Sequence, residues 1–295
     1  MRVATTAVSS DPGRKRRHNE DAYVCKPPLF AIADGMGGAR AGEVASRLAA
    51  AALLSGEVAG SGAERVLALI QEANRSVYER SSKDAEVAGM GTTITVALVE
   101  NASVTFGHVG DSRAYILRNG SLEQLTDDHS LVAELVRGGK LSEEEAEHHP
   151  QRSVITRALG TDPDVDVDTF TVEAQAGDVY VLCSDGLTDM VADDEIGEVL
   201  SARRNSLDDA AKELVRRANK AGGQDNITVI AFELSDEPDE QTVEQVVEDT
   251  QTLPSADAPP PPEPGPRRRL RRFLPLLILL LAIAGAAIAL WVLAR

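Results

Sequence analysis

Five short acidic motifs run from residue 19 to residue 226: Asn19-Glu20-Asp21, Asp34-Gly35, Gly110-Asp111-Ser112, Asp185-Gly186 with Asp189, and Gly222-Gly223-Gln224-Asp225-Asn226. Four of them adjoin apolar, strand-like runs, and the runs 29–33 and 179–183 lead into a carboxylate. Acids gathered without matching Lys or Arg repel one another unless a divalent cation neutralises them. This is the pattern of a hard-metal site built from oxygen ligands. Arg16 and Arg17 precede the first motif. An arginine beside such a site suits a phosphate, which it grips through two parallel hydrogen bonds. Two cations held close together form a clamp for in-line displacement at phosphorus and activate a bridging water as hydroxide, so no side-chain nucleophile is required. The chain fits that scheme, having no GxSxG elbow, no P-loop, no HExxH and no cysteine in a Gly-rich phosphate loop.

Each motif also has a plain structural alternative. Asp34, followed by Gly35-Met36-Gly37-Gly38, fits a tight turn whose glycines let backbone approach a ligand. Asp185 fits a helix N-cap, Asp225 an Asx turn, and Asp111 an ion pair with Arg113. Residues 14–17 fit a solvated basic patch. If a helical turn begins at 185, Asp185 and Asp189 share one face of it. Singly these signals are weak; together they point to one site, because every alternative would have to hold at once.

The elements that must deliver these acids follow from hydrophobic periodicity. Strands are expected at 3–9, 22–25, 29–33, 91–99, 103–109, 114–118, 122–125, 179–183 and 227–234. Asn119-Gly120 signals a hairpin. Helical spacing covers 41–55, 63–82, 193–203 and 207–220, with shorter patches at 131–136 and 142–148 in a more polar stretch, 130–160. The order lacks a regular βαβ alternation, so antiparallel sheets with helices packed outside are expected over 1–235.

The chain has 295 residues, is 43% hydrophobic and carries a net charge of −17, which argues against nucleic acid as a partner. Cys25 and Cys183 lie in apolar contexts without a CxxC partner and read as reduced core thiols. No apolar leader is visible at the N-terminus. Residues 236–266 hold nine acids, eight prolines and no Lys or Arg, the composition of a disordered linker. A basic cluster follows at 267–272. Residues 273–294 carry no charged side chain and match the length of a membrane-spanning helix. The arginines on its near side place that flank in the cytoplasm. The expected whole is a cytoplasmic domain on a single-pass anchor at the cell membrane.

Taken together, the motifs resemble those of the bacterial metal-dependent serine/threonine protein phosphatases of the PPM, or type 2C, family. The resemblance rests on Arg16-Arg17-His18-Asn19-Glu20-Asp21-Ala22, Ala33-Asp34-Gly35-Met36-Gly37-Gly38, Gly89-Met90-Gly91-Thr92-Thr93, Gly110-Asp111-Ser112-Arg113-Ala114, Asp127-Asp128-His129-Ser130, Cys183-Ser184-Asp185-Gly186-Leu187 and Asp225-Asn226-Ile227-Thr228-Val229. It implies an α+β fold: a central β-sandwich of two antiparallel sheets flanked by helices on both faces, with a binuclear Mn2+ or Mg2+ centre. Asp34 would bridge both ions, and Asp185 and Asp225 would complete one. The Gly35 carbonyl, and Glu20 through water, would serve the other, with Asp21 in support. Asp111, Asp185 and Asp189 would form a third, weaker site. By register Arg16 would bind the phosphate, with Arg17 a one-residue competitor. Residues 130–160 would be a mobile flap. Eukaryotic members carry a His as proposed general acid where this chain has Met36; His18 and His129 are the alternatives, although each suits a structural role better. The implied function is hydrolysis of phosphoserine and phosphothreonine in proteins by a monomer that opposes a Ser/Thr kinase. A regulator-specific partner-switching phosphatase and an inactive phosphoprotein-binding scaffold are the competing readings.

Overall fold

The computed structural model describes residues 1–37, 41–56 and 59–236. Gly38 of the second motif, the expected linker beyond Asp236, the basic cluster and the expected anchor at 273–294 lie outside the described residues. Among the described residues no helix is long and apolar enough to cross a membrane.

The chain runs β1 (Arg2–Asp11), β2 (Asp21–Lys26), β3 (Leu29–Met36), α1 (Ala41–Ser55), α2 (Gly62–Lys83), a 3-10 turn (Ala85–Val87), β4 (Gly91–Thr92), β5 (Ile94–Glu100), β6 (Ser103–Val109), β7 (Arg113–Arg118) and β8 (Ser121–Gln124). Next come α3 (Leu131–Arg137), α4 (Glu143–Glu147), β9 (Asp168–Glu173), β10 (Val179–Cys183), α5 (Asp185–Thr188), α6 (Asp193–Ala202), α7 (Leu207–Ala221) and β11 (Ile227–Ser235). One sheet has the order β1-β11-β10-β7-β8 and the other β2-β3-β5-β6-β9, with β4 paired to β3. All these pairings are antiparallel.

Period-two alternation explains the layering. In β3, Phe30 and Ile32 face the space between the sheets, where Phe30 stacks on Phe232 at 4.1 Å and Tyr180 lies 5.2 Å from Phe232. Ala31 and Ala33 face the opposite way, onto the apolar faces of α1 and α2. In β10, Tyr180 and Leu182 point inward while Val179, Val181 and Cys183 pack under α6 and α7. Two helical layers therefore enclose two sheets. Cys183 is buried as expected and Cys25 is only half-buried; neither is in a disulfide.

The structure differs from the sequence reading in three places. The strand expected at 29–33 continues through Asp34 to Met36, because Asp21 pairs with Asp34 and Thr92 with Gly35 after the apolar run has ended. The strand expected at 91–99 breaks at Thr93, whose N–H turns to the Asp34 carbonyl at 2.9 Å. β9 was not anticipated. It is an edge strand with Phe170 and Val172 inward and polar residues outward, a weak alternation inside a polar stretch.

Antiparallel pairing is what gathers the acids. The exit of one strand lies beside the entry of its neighbour. Asp34 near the end of β3, Asp111 after β6 and Asp185 after β10 therefore share one end of the sandwich with Asp21 at the entry of β2 and Asp225 before β11.

Candidate active site

Asp21 and Asp34 face each other directly across the β2–β3 ladder. Asp21 is fixed from the second sheet: its Oδ2 accepts hydrogen bonds from Ser184 Oγ at 2.9 Å and Thr228 Oγ1 at 2.6 Å. Its Oδ1 has no partner, and neither has Oδ1 of Asp111 or of Asp185. The Asp34 backbone is held by Thr93 Oγ1, which accepts its N–H at 3.1 Å, and by Thr92 Oγ1, which donates to its carbonyl at 2.8 Å. Thr93 Oγ1 in turn meets Ser112 Oγ at 3.0 Å, tying the Asp34 strand to the Asp111 loop.

Burial and mutual repulsion act together on these carboxyls. Asp34 is pushed well above the ordinary carboxylate range by desolvation and then by Asp21, Asp185, Asp111 and Asp225. Asp185 is raised in the same way, by desolvation and by Asp111, Asp225 and Asp189. Desolvation and neighbouring acids lift Asp111 to about 7. Asp21 rises to about 6, its hydroxyl donors offsetting part of the desolvation. Protons or cations must supply the charge that the protein withholds.

Glycines shape the space around these oxygens. A Cβ on Gly42 would lie 2.5 Å from Glu20 Oε2 and 2.7 Å from the Gly35 carbonyl oxygen, so the two oxygens share the small space a methyl would fill. A Cβ on Gly186 would overlap the Asn226 carbonyl, so only glycine lets α5 start against the Asp225–Asn226 turn.

Arg16 is the cation that enters this group: its guanidinium donates to Asp225 Oδ2 at 2.7 Å and also lies in the field of Glu20 and Asp34. Arg17 is exposed. Asp189 sits at the end of α5, 3.7 Å from Arg152. It borders a recess of about 730 Å³ that also touches Asp111, Asp185, Arg113 and His148. All ten residues singled out from the sequence thus lie at this end of the fold, with Arg17 pointing to solvent. Among the described residues no three acidic or imidazole side chains yet close on one point. With Asp225 engaged by Arg16, closing a ligand set takes side-chain rotation there.

The structural alternatives are settled individually. Arg113 makes its bidentate pair with Asp128, at 2.9 and 2.8 Å, so Asp111 is left without it. Ser184, not Asp185, is the N-cap of α5. Asp225 Oδ1 does accept the Asn226 N–H at 2.8 Å, a turn contact that leaves Oδ2 for Arg16. His129 is 1% exposed; its Nδ1 accepts the Gly110 N–H at 3.1 Å and its Nε2 meets Asp168 Oδ2 at 3.1 Å. Both ring nitrogens are committed to structure. His18 is exposed at the rim.

Asn226 had no assigned role from sequence and turns out to organise the loop that carries Arg16. Its Oδ1 accepts the Glu20 N–H at 2.7 Å, and its Nδ2 donates to the carbonyls of Pro12 and His18 at 3.1 and 2.9 Å. Ser184 and Thr228 likewise stand in the quoted motifs without an assigned role, and Gly42 carries no sequence signal.

The donor set is all oxygen and includes three unpartnered carboxylate oxygens, which fits hard divalent cations such as Mn2+ or Mg2+. The comparisons agree with this geometry. The Protein phosphatase 2C family model matches residues 14–229. The serine/threonine phosphatase stp of Listeria monocytogenes is 43% identical over 239 residues, covering 76% of this chain and 93% of its own. The crystal structure of the Mycobacterium tuberculosis serine/threonine phosphatase PstP/Ppp superposes with a TM-score of 0.75 at 41% identity, covering 79% of this chain and 99% of the other. A crystal structure of the PstP catalytic domain in complex with two manganese ions superposes at 0.74 with 38% identity, covering 80% of this chain and 100% of that one. This chain belongs to the protein phosphatase 2C family.

Proposed function

We propose that this chain hydrolyses phosphoserine and phosphothreonine in proteins with the help of divalent cations, and that it opposes a Ser/Thr kinase. The observation that carries the reading is a group of carboxylates at one end of the sandwich, three of whose oxygens are buried without a partner, with Arg16 held beside them by Asp225. Asp34, Asp185, Asp225, Glu20 and the Gly35 carbonyl are the groups that would hold two Mn2+ or Mg2+ ions, with Asp111 and Asp189 beside them for a third. Bound ions would supply charge neutralisation at the phosphate and a water acidic enough to serve as nucleophile near neutral pH.

The chain's own groups do the rest. Ser184 and Thr228 hold Asp21, which stands opposite Asp34 across the ladder. Arg16 is already oriented by Asp225 and presents a guanidinium to an entering phosphate dianion. Met36 donates no proton, and His129 is committed elsewhere. Protonation of the leaving oxygen therefore falls to solvent or to His18 at the rim. Every group named comes from one chain, so a monomer satisfies the scheme.

The sequence of 267–294 supports a membrane tether with the catalytic domain on the cytoplasmic side. Deleting 267–295 should move the protein from the membrane to the soluble fraction with its activity intact; retention in the membrane fraction would refute the tether. For the reaction itself, hydrolysis of a phosphothreonine peptide should require Mn2+ or Mg2+ and stop with EDTA. Hydrolysis that survives EDTA would overturn the metal-dependent reading.

A further inference from the structure

The loop of residues 12–20 is fixed by its backbone, while three of its four cationic side chains stay unpaired among the described residues. The Arg14 and Lys15 N–H groups both donate to the Gly223 carbonyl, at 2.7 and 3.2 Å. Gly13 N–H donates to Asp11 Oδ1 at 2.9 Å, and Asn226 clamps Pro12 and His18. Of the four consecutive cations on it, Arg16 alone turns to an acid; Arg14, Lys15 and Arg17 are exposed, and among the described residues no carboxylate lies within salt-bridge distance of them. Elsewhere in the described chain most arginines are paired, as with Arg47–Glu43, Arg65–Glu100, Arg118–Asp178 and Arg157–Asp168. In a chain of net charge −17 a rigid strip of unpaired cations is an exception, and it adjoins the phosphate-facing arginine. The recess beside Asp111 and Asp185 differs: its two arginines, Arg113 and Arg152, are paired with Asp128 and Asp189.

We propose that Arg14, Lys15 and Arg17 form a docking strip for acidic residues flanking the phosphorylated residue of a protein substrate. The inference rests on the phosphatase reading and adds a substrate class to it. Rim charges of this kind act chiefly on encounter and on KM, and they weaken with salt. They leave the bond-breaking step alone.

The test uses the full chain with Mn2+, three phosphothreonine peptides with acidic, neutral or basic flanks, and p-nitrophenyl phosphate. Arg17 is kept, since it neighbours the phosphate-facing arginine, and the variant is Arg14→Glu with Lys15→Glu. Wild type should favour the acidic over the neutral peptide roughly tenfold in kcat/KM at low salt, and the ratio should shrink toward one near ~0.5 M salt. The variant should lose the preference while hydrolysing p-nitrophenyl phosphate within about twofold of wild type. Arg14→Gln with Lys15→Gln should fall between the two and guards against misfolding of the reversed variant. A wild type without preference, or a variant that retains it, overturns the proposal. A variant that gains on every peptide would mean that the strip is covered by the chain's own acidic residues 236–266, which also overturns it. Wild type that cleaves p-nitrophenyl phosphate but none of the peptides would instead remove the protein-phosphatase reading itself.

Discussion

Strand β10 has an aspartate beyond each end, and the two have opposite fates. Asp178 precedes it and is 2% exposed; Asp185 follows it, only partly exposed and with its Oδ1 buried. Desolvation pushes both carboxyls upward. Instead burial is overridden by Arg118, which donates to its two oxygens at 2.9 and 2.6 Å, and by the Gln175 N–H at 2.7 Å, and the group is held below the ordinary range. Asp185 has no such cation, keeps Oδ1 unpartnered, and is driven far upward by desolvation and its acidic neighbours. Desolvation acts on both, and the presence or absence of a cation partner sets the direction of the shift. At one end of the sandwich charge is satisfied within the fold, and at the other it is left for something that binds.

The largest consequence should appear when the unsatisfied end is neutralised. Asp185→Asn should cost at least ~10²-fold in kcat, the scale of losing one preorganised electrostatic group. In EDTA it should raise Tm, because a repulsive charge is removed. An unchanged kcat, or a lower Tm in EDTA, would break the contrast. The mirror-image change is Asp178→Ala. It strands Arg118 and should destabilise the fold by about 2–4 kcal/mol, less than a fully buried pair because Arg118 is partly exposed. Activity per folded molecule should stay close to wild type in a denaturant titration paired with an activity assay.

A smaller effect is expected at Arg16. Arg16→Ala should raise KM for an aryl phosphate about tenfold, the loss of one charge-assisted grip, with Arg17→Ala changing it less. The reverse order would shift the phosphate contact by one residue. The same repulsion also sets a pH dependence. Asp21 and Asp111 hold their protons up to about 6 and about 7, whereas the unfolded chain releases them near the ordinary value of 3.8. Between those limits the native state binds more protons, so stability in EDTA should fall as pH rises through about 4 to 7. Asp178 works in the other sense, its contribution being lost only as pH falls below the ordinary carboxylate range. A flat profile in EDTA over that window would remove the repulsion argument.

Much of this was legible in the chain because hydrophobic period and acid placement coincide. The strands at 103–109 and 179–183 and the helix at 41–55 match the structure residue for residue. Asp34, Asp111 and Asp185 were found because each adjoins such a strand. Other features were hidden for physical reasons. β9 is an edge strand with a single core-facing side, so its alternation is short and diluted by Asp168 and Glu173. Asp34 lies inside β3 rather than at its end, because ladder pairing does not stop where burial does. Asn226, Ser184 and Thr228 act through hydrogen bonds to residues some 160 to 210 positions away, a separation that local spacing does not encode. Gly42 matters because two oxygens, the Gly35 carbonyl of β3 and Glu20 Oε2 from the loop before β2, converge on it.

The central claim is that the unsatisfied carboxylates exist to hold divalent cations. Calorimetric titration of Mn2+ into EDTA-stripped, dialysed full-length protein at neutral pH tests it most directly, alongside the Asp34→Asn variant. Two tight sites in wild type, with at least one lost in the variant, are predicted. Wild type that takes up no Mn2+, or a variant that binds as wild type does, would contradict it.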